Sequence, residues 1–470
     1  MDELHADVII AGAGTSGSYL AWRLASAGHR CLVLEREKLD RLGTGIGPFH
    51  MEEVAFREHD IPLPAGDELL HTARSITLRP PGPGVGVTAR LTTLVVHKPR
   101  FLQRLHAYAR QAGAELVDET EITGLLLEAG RARGVRARRG AGELSARGRL
   151  LVDASGIDGA LRTRLPPRPG FETDRISDRD TLLVRMETWR AIEGELSPGI
   201  NSYLHAQGWY APASADTTIV GVGMPASPKG ARRRLRDFAA RLPFEGEAVS
   251  AAGGRVPYRR PPYSLVDHGL LVVGDAAFMN RPFSGEGVSS ALAACRIAVE
   301  VAAAALARDD LSLEALWPYN TRYFRDQGAK FAFLMAVLPS LASLGEQELD
   351  FLFSVPGLIT EAGIQALNLE QEPRWICAST AERPKGASRR KSASALPLLL
   401  RGIAAGQLRP RSVARIAGLA LVAARLRSLY RRYPEHAAGL AAWTRRVEPL
   451  WRAADRARHD YLAALVARWG

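Results

Sequence analysis

Three glycines, Gly12, Gly14 and Gly17, stand in the spacing G-x-G-x-x-G directly after the apolar run Val8-Ile9-Ile10-Ala11. The first permits a tight turn, the second lets backbone approach a pyrophosphate, and the third lets a helix pack closely on a strand. A helix starting there adds unpaired N–H groups and the positive end of its dipole, which together suit a dinucleotide phosphate. Glu35 lies at the end of a second apolar run, Cys31-Leu32-Val33-Leu34, where a carboxylate can accept hydrogen bonds from both ribose hydroxyls of an adenosine.

A second group lies far downstream. Leu271-Val272-Val273 leads into Gly274-Asp275-Ala276-Ala277, then Pro282-Phe283-Ser284-Gly285-Glu286-Gly287-Val288 and an Ala-rich helix. Asp275 at a strand end can accept from ribityl hydroxyls, and a helix start at Gly287 can set N–H groups against a flavin pyrimidine. A simple nicotinamide dehydrogenase has no use for this second element, so FAD is the expected cofactor. No further glycine motif follows a strand, so NADPH or another electron donor would bind without a Rossmann unit of its own. The eleven histidines never reach metal spacing, and no metal site is expected.

These residues require particular elements to position them. The first 35 residues read as strand, turn, helix and strand, with Gly28 ending the helix; another helix is expected over Arg100–Ala112, returning to the sheet at Gly113–Val117. Residues 40–95 read as loops and short strands, and 170–262 alternate as a mostly antiparallel sheet. Beyond residue 288 the chain reads as helical. The expected fold class is α/β: a Rossmann-like FAD-binding domain with an inserted, mostly antiparallel β-sheet substrate domain and a helical C-terminal region. The expected FAD-binding domain is discontinuous (1–45, 92–168 and 264–305), the substrate domain covers 46–91 and 169–263, and 306–470 form the helical region.

The chain has 470 residues, 46% of them hydrophobic and 24% charged, which excludes global disorder and allows several packing units. Cys31, Cys295 and Cys377 are too sparse for a disulfide framework and suit a reducing compartment; no signal peptide is read at the N-terminus. The net charge of +12 is uneven: from Arg374 onward there are 20 Lys+Arg against 5 Asp+Glu.

The motifs Gly12-x-Gly14-x-x-Gly17 with Glu35, Asp153-Ala154-Ser155-Gly156, and Gly274-Asp275-Ala276-Ala277 with Pro282-x-x-Gly285-x-Gly287 resemble the FAD fingerprints of flavoproteins similar to para-hydroxybenzoate hydroxylase. With Gly208-Trp209-Tyr210-Ala211-Pro212, the chain most resembles geranylgeranyl reductases over about residues 5–340. The resemblance implies that Gly12, Gly14, Ser16, Gly17, Glu35 and Arg36 hold the ADP half and that Ile122 meets the adenine. It further implies Asp275, Gly285, Gly287 and Val288 at the ribityl and ring end. Lys98 fills the slot of the family's phosphate-contacting arginine, with Arg100 close by. The family's Cys-Gly-x-Gly loop beside the flavin appears as Thr44-Gly45-Ile46-Gly47, so the resemblance implies that Thr44, Gly45 and Gly47 contact the cofactor and that no thiol serves there. Its aromatic substrate strand keeps Trp209 and Pro212 only, making Trp209, Tyr210, Pro212 and Thr44 the expected pocket residues; the catalytic residue is left unassigned.

The expected function is FAD-dependent reduction of carbon–carbon double bonds in a prenyl or isoprenoid lipid. A monooxygenase or epoxidase of a hydrophobic substrate is the alternative, because one fold serves both chemistries. A flavin-bound interaction protein using its basic tail is a third reading. Phe331–Leu338 is an apolar helical stretch that Pro339 is expected to interrupt, and on Val413–Tyr430 Arg415 and Arg425 are expected within the apolar arc. The expected location is the cytoplasm, with peripheral contact at the inner face of an anionic membrane through the basic region and through exposed Trp443, Trp451 and Trp469 as a further expectation. Nucleic acid is disfavoured because the tail lacks interleaved stacking motifs; the sequence leaves the oligomeric state open.

Overall fold

The computed structural model describes residues 2–45, 47–168, 170–194, 196–203, 205, 207–214, 216–225, 228–369 and 395–469. In chain order the first half contains β1 (Asp2–Ala11), α1 (Thr15–Ser26), β2 (Cys31–Leu34), β3 (Pro48–Glu52), α2 (Glu53–Glu58), β4 (Leu69–Leu78), β5 (Val87–His97), α3 (Lys98–Gln111), β6 (Glu115–Val117), β7 (Thr120–Glu128), β8 (Arg131–Arg139) and β9 (Gly142–Asp153). The second half adds β10 (Thr181–Glu193), β11 (Ile200–Tyr203), β12 (Gly208–Pro212), β13 (Thr217–Pro225), α4 (Pro228–Ala239), β14 (Glu245–Pro257), β15 (Val266–Asp267) and β16 (Leu270–Val272). A helical series follows: α5 (Val288–Ala307), α6 (Leu313–Tyr323), α7 (Ala329–Ala342), α8 (Glu346–Ser354), α9 (Glu361–Asn368), α10 (Ala395–Ala404), α11 (Pro410–Tyr430) and α12 (Leu440–Trp469).

Continuous apolar runs become central parallel strands because both faces are covered. Val8–Ala11 pair in parallel with Cys31–Leu34 on one side and Leu150–Asp153 on the other, and all are buried. The strand order β15-β16-β9-β1-β2-β6, extended from β9 by the β8–β7 hairpin, is the expected dinucleotide-binding sheet. It brings the carboxyl ends of β1, β2, β9 and β16, and with them Gly12, Glu35, Ala154 and Gly274, to one edge.

The second sheet, β14-β10-β13-β12-β11-β4-β5-β3, is antiparallel except where β11 runs parallel to β4. Residues 40–95 are more regular than expected: β4 and β5 are long strands paired antiparallel with two register shifts. β5 runs unbroken across the expected domain boundary at 91/92, so the second sheet ends at His97. The expected helix over Arg100–Ala112 begins at Lys98, with Pro99 in its first turn and the His97 imidazole accepting from Arg100 N at 3.4 Å.

Three C-terminal expectations are corrected. Pro339 does not interrupt α7: the helix continues to Ala342, held by burial of Phe331–Leu338, by the Ser340 hydroxyl donating to Val337 O (2.6 Å) and by Ser343 N donating to Pro339 O (3.2 Å). Trp443 and Trp451 are buried, not exposed; their indole N–H groups donate to Leu429 O (2.9 Å) and the Tyr430 hydroxyl (3.1 Å) within an aromatic cluster that includes Tyr433. The Trp469 side chain and Cys377 lie outside the described residues. Arg415 and Arg425 are exposed, while Leu419, Ala423, Leu426 and Tyr430 of α11 face the core. The helix α5 is long and apolar enough to cross a membrane, but much of it is buried against α1 and α6 as a core helix.

Candidate active site

Between the two sheets lies a cavity of about 530 Å³. Its dinucleotide-binding end is shaped by missing side chains. Gly12 has φ +96°, and a Cβ there would meet Ala154 O at 2.6 Å; a Cβ on Gly17 would meet Gly12 O at 1.9 Å. The first two turns of α1 therefore sit on the β1 turn only because these positions are glycine. Gly14 is different: a Cβ there would meet nothing within 4 Å, because the residue faces the cavity. At the other wall a Cβ on Gly287 would strike Asn280 Oδ1 at 2.2 Å and approach Asp275 Oδ1 at 3.2 Å. Thr15 Oγ1 and Asn280 Oδ1 are buried without hydrogen-bond partners. Open backbone at Gly14 together with unpartnered polar atoms at both walls is a cradle that fits a dinucleotide cofactor.

Glu35 is buried, its Oε2 accepting from Ala13 N (2.8 Å) and its Oε1 from Glu37 N (2.9 Å), so the carboxylate is fixed and retains acceptor capacity for hydroxyls. Lys98 and Asp275 line the same cavity. Burial lowers the Lys98 pKa, opposed by the Asp275 charge, and burial raises the Asp275 pKa, opposed by the Lys98 charge. Their placement sets a cation and a carboxylate together where a phosphate and a polyol chain would need them. Asp153 turns away from the cavity; its carboxylate accepts from Leu161 N (2.9 Å), Arg162 N (2.6 Å) and the Ser155 hydroxyl (2.5 Å) and so orders the turn that leaves Ala154 and Gly156 on the wall.

Ser16, Gly285, Gly287, Val288 and Trp209 line the cavity. Other expected residues do not. Arg36 is exposed and pairs with Asp158 at 3.2 Å, and Arg100 points outward to Gln103 (3.3 Å). Ile122 is buried in the core beside Thr120, whose N–H donates to Glu35 O at 2.7 Å. Thr44 is exposed and donates to Arg41 O at 2.8 Å; Gly45 and Gly47 are tied to Gly253 and Lys98 through their carbonyls, and their neighbours Gly43 and Pro48 line the cavity instead. Strand alternation separates the aromatic pair: Trp209 faces the cavity, whereas Tyr210 packs on the opposite face with Val220, Phe238 and Phe244. Pro212 is buried outside the cavity wall.

Sequence reasoning missed the residues that hold the flavin-loop wall. Arg281 is 5% exposed and donates to Glu52 Oε1 (2.7 Å), Asn368 O (2.7 Å) and Ser289 Oγ (2.7 Å), with Glu286 Oε2 at 3.4 Å. Phe278, at φ +58°, has the guanidinium groups of both Arg162 and Arg259 over its ring, each 4.9 Å from the centroid. His50 lines the cavity with Nε2 buried and unpartnered, and burial lowers its pKa to about 4, so its imidazole is neutral at neutral pH. A single Arg, Glu or His carries no spacing signature, so these residues stood out only once they were brought together around the cavity.

A parallel sheet with a glycine turn at β1, an acid after β2 and a second glycine-flanked helix start at α5 defines an FAD-dependent oxidoreductase of the Rossmann-like α/β class. Residues 10–65 match the family model of the NAD(P)-binding Rossmann-like domain. The chain is similar to digeranylgeranylglycerophospholipid reductase 1 of Methanopyrus kandleri (30% identical, covering 75% of this chain and 95% of that protein). It is also similar to digeranylgeranylglycerophospholipid reductase of Sulfolobus acidocaldarius (24% identical, covering 95% and 98%). Its fold matches the crystal structure of a geranylgeranyl bacteriochlorophyll reductase-like protein from Thermoplasma acidophilum (TM-score 0.70, 18% identical, covering 80% and 98%). The chain belongs to the digeranylgeranylglycerophospholipid reductase family of flavoproteins.

Proposed function

We propose that this enzyme reduces carbon–carbon double bonds in the prenyl chains of a lipid. The observation that carries the reading is the continuity of one cavity: Gly14, Ser16, Asp275 and Gly287 line one end, and Ile76, Leu78, Trp209, Leu338 and Ile364 line the other. An apolar chamber opening directly onto a dinucleotide cradle suits a long hydrocarbon and excludes water from its double bonds. The names of the archaeal relatives support a prenyl lipid as the substrate class.

In this reading Gly12, Gly14, Ser16, Gly17 and Glu35 hold the ADP half of FAD, Lys98 meets its phosphates, and Asp275, Gly285, Gly287 and Val288 hold the ribityl and ring end. FAD, when bound, supplies the hydride chemistry. The protein's residues would orient it: Glu35 would hold the ribose hydroxyls, the α1 N-terminus would receive the pyrophosphate, and the α5 N-terminus would offer its partial positive charge to the ring end. NADPH or another reductant serves as electron donor without a second dinucleotide fold. We assign the enzyme to the cytoplasm, working at the inner face of the membrane that holds its substrate.

Mass spectrometry of prenyl lipids incubated with the purified flavoprotein and a reductant, in parallel with and without oxygen, tests the reading. Products heavier by two hydrogens per double bond are expected. A product heavier by one oxygen atom, formed with oxygen uptake, overturns it in favour of a monooxygenase.

A further inference from the structure

The α10–α11 pair carries a charge pattern that the cavity does not use. Residues 395–432 contain eight arginines and no Asp or Glu. Arg409 is paired to Glu348 and Arg415 lies 3.8 Å from Asp460, while Arg401, Arg411 and Arg425 are exposed and meet no acidic partner among the described residues. Two leucines stand exposed among them, Leu400 at 56% and Leu421 at 66%. The inner faces of both helices are satisfied: Leu399, Ile403, Val413 and Ile416 pack on a cluster with Leu344, Leu349, Leu352 and Leu408.

We propose that this outer face, with Arg401, Arg411, Arg415 and Arg425 around Leu400 and Leu421, docks the enzyme on an anionic lipid surface. Three observations select that occupant. A second copy presenting the same face would set Arg401, Arg411 and Arg425 against their own kind, with only Asp460 beside Arg415 to offset them, so self-association is disfavoured. Residues 370–394 of the chain itself carry six Lys+Arg against three Glu, so they add to the charge and do not complement it. A nucleic acid would use the arginines but not the leucines, whereas a membrane uses both: phosphates neutralise the guanidinium groups and the acyl boundary takes up the apolar side chains.

The face also stands next to the proposed chemistry. Leu341 lines the cavity and packs against the same cluster that supports α10 and α11. The apolar cluster that backs α10 and α11 therefore reaches the cavity wall through Leu341. This purpose rests on the lipid-substrate reading, but the surface itself does not.

Co-sedimentation of the full-length holoenzyme with vesicles tests the inference. Binding is expected to vesicles of equal parts phosphatidylglycerol and phosphatidylcholine, and to weaken steeply with salt. Arg411→Glu combined with Arg425→Glu should reduce that binding by at least about tenfold, and Leu421→Asn, which removes apolar surface without adding charge, should reduce it while leaving its salt dependence largely intact. Flavin absorbance and turnover of a detergent-solubilised prenyl substrate, both unchanged, report that the variants are folded. Equal binding to pure phosphatidylcholine, unaltered binding of the double variant, or stronger capture by a single-stranded oligonucleotide than by anionic vesicles each overturns the proposal. Failure to turn over any prenyl lipid in detergent, with vesicle binding intact, would overturn the substrate reading and leave the docking face standing.

Discussion

Arg281 Nη1 lies 2.7 Å from Glu52 Oε1, joining the loop that carries Gly285 and Gly287 to the last residue of β3, and both side chains are almost fully buried. The same guanidinium reaches Asn368 O at the end of α9, so one cation ties the cofactor wall, the second sheet and the helical region. Removing one partner of such a pair leaves the other charge stranded, at about 3–5 kcal/mol. Glu52→Gln and Arg281→Met should each lower stability on that scale, and the double substitution should cost clearly less than their sum in chemical denaturation. Additive losses would show that the two groups are not coupled.

Gly14 and Gly17 separate cofactor contact from folding. Gly17→Ala places a Cβ 1.9 Å from Gly12 O and should destabilise the apoprotein. Gly14→Ala meets no protein atom within 4 Å and should leave apoprotein melting unchanged while weakening flavin affinity by about tenfold or more, since its methyl group enters the space of the pyrophosphate. Fluorescence titration with FAD and thermal melting of the two apoproteins read these outcomes.

Trp209 should govern substrate size. Its ring covers Gly221, where a Cβ would come within 2.4 Å of it. Gly221→Ala should push the indole toward the cavity and raise KM for long prenyl substrates several-fold, with flavin affinity unchanged. Tyr210→Ala, on the opposite face, should instead lower stability by about 3–5 kcal/mol with little effect on KM for the protein that remains folded. Steady-state kinetics and denaturation of both variants distinguish the two faces.

Acid should loosen the α8–α11 junction. Burial raises the Glu348 pKa, but the Arg409 side chain and the amides of Gly345 and Arg409 outweigh it and bring the carboxyl down to about 2 from 4.5. A lowered folded pKa means stability that is present above pH 4.5 and is lost as pH falls toward 2. Glu348→Gln should therefore be less stable than wild type at neutral pH, and the difference should shrink through that window. A difference in melting temperature that stays constant with pH would show that the carboxylate is not the source.

The dinucleotide cradle was legible because its requirements are local. A turn that admits only glycine, a strand buried on both faces and an acid at its end all leave marks within a few residues, as at Gly12–Gly17, Cys31–Glu35 and Gly274–Val288. Positions one or two residues apart were less legible: Lys98 reaches the cavity and Arg100 does not, Gly43 and Pro48 line it and Thr44 does not, Trp209 faces it and Tyr210 does not. The strand and helix periods that decide such pairs are fixed only when register is fixed.

Cofactor class, the parallel sheet and the uneven charge could be read along the chain, because glycine geometry, apolar runs and composition are properties of short segments. Packing of distant segments settled the rest: Trp443 and Trp451 serve the core, Arg281 meets Glu52, and Leu399 and Ile403 of α10 join Val413 and Ile416 of α11 on one buried cluster. Those facts depend on residues far apart in the chain being packed against one another, and nothing in the spacing of either partner records the meeting.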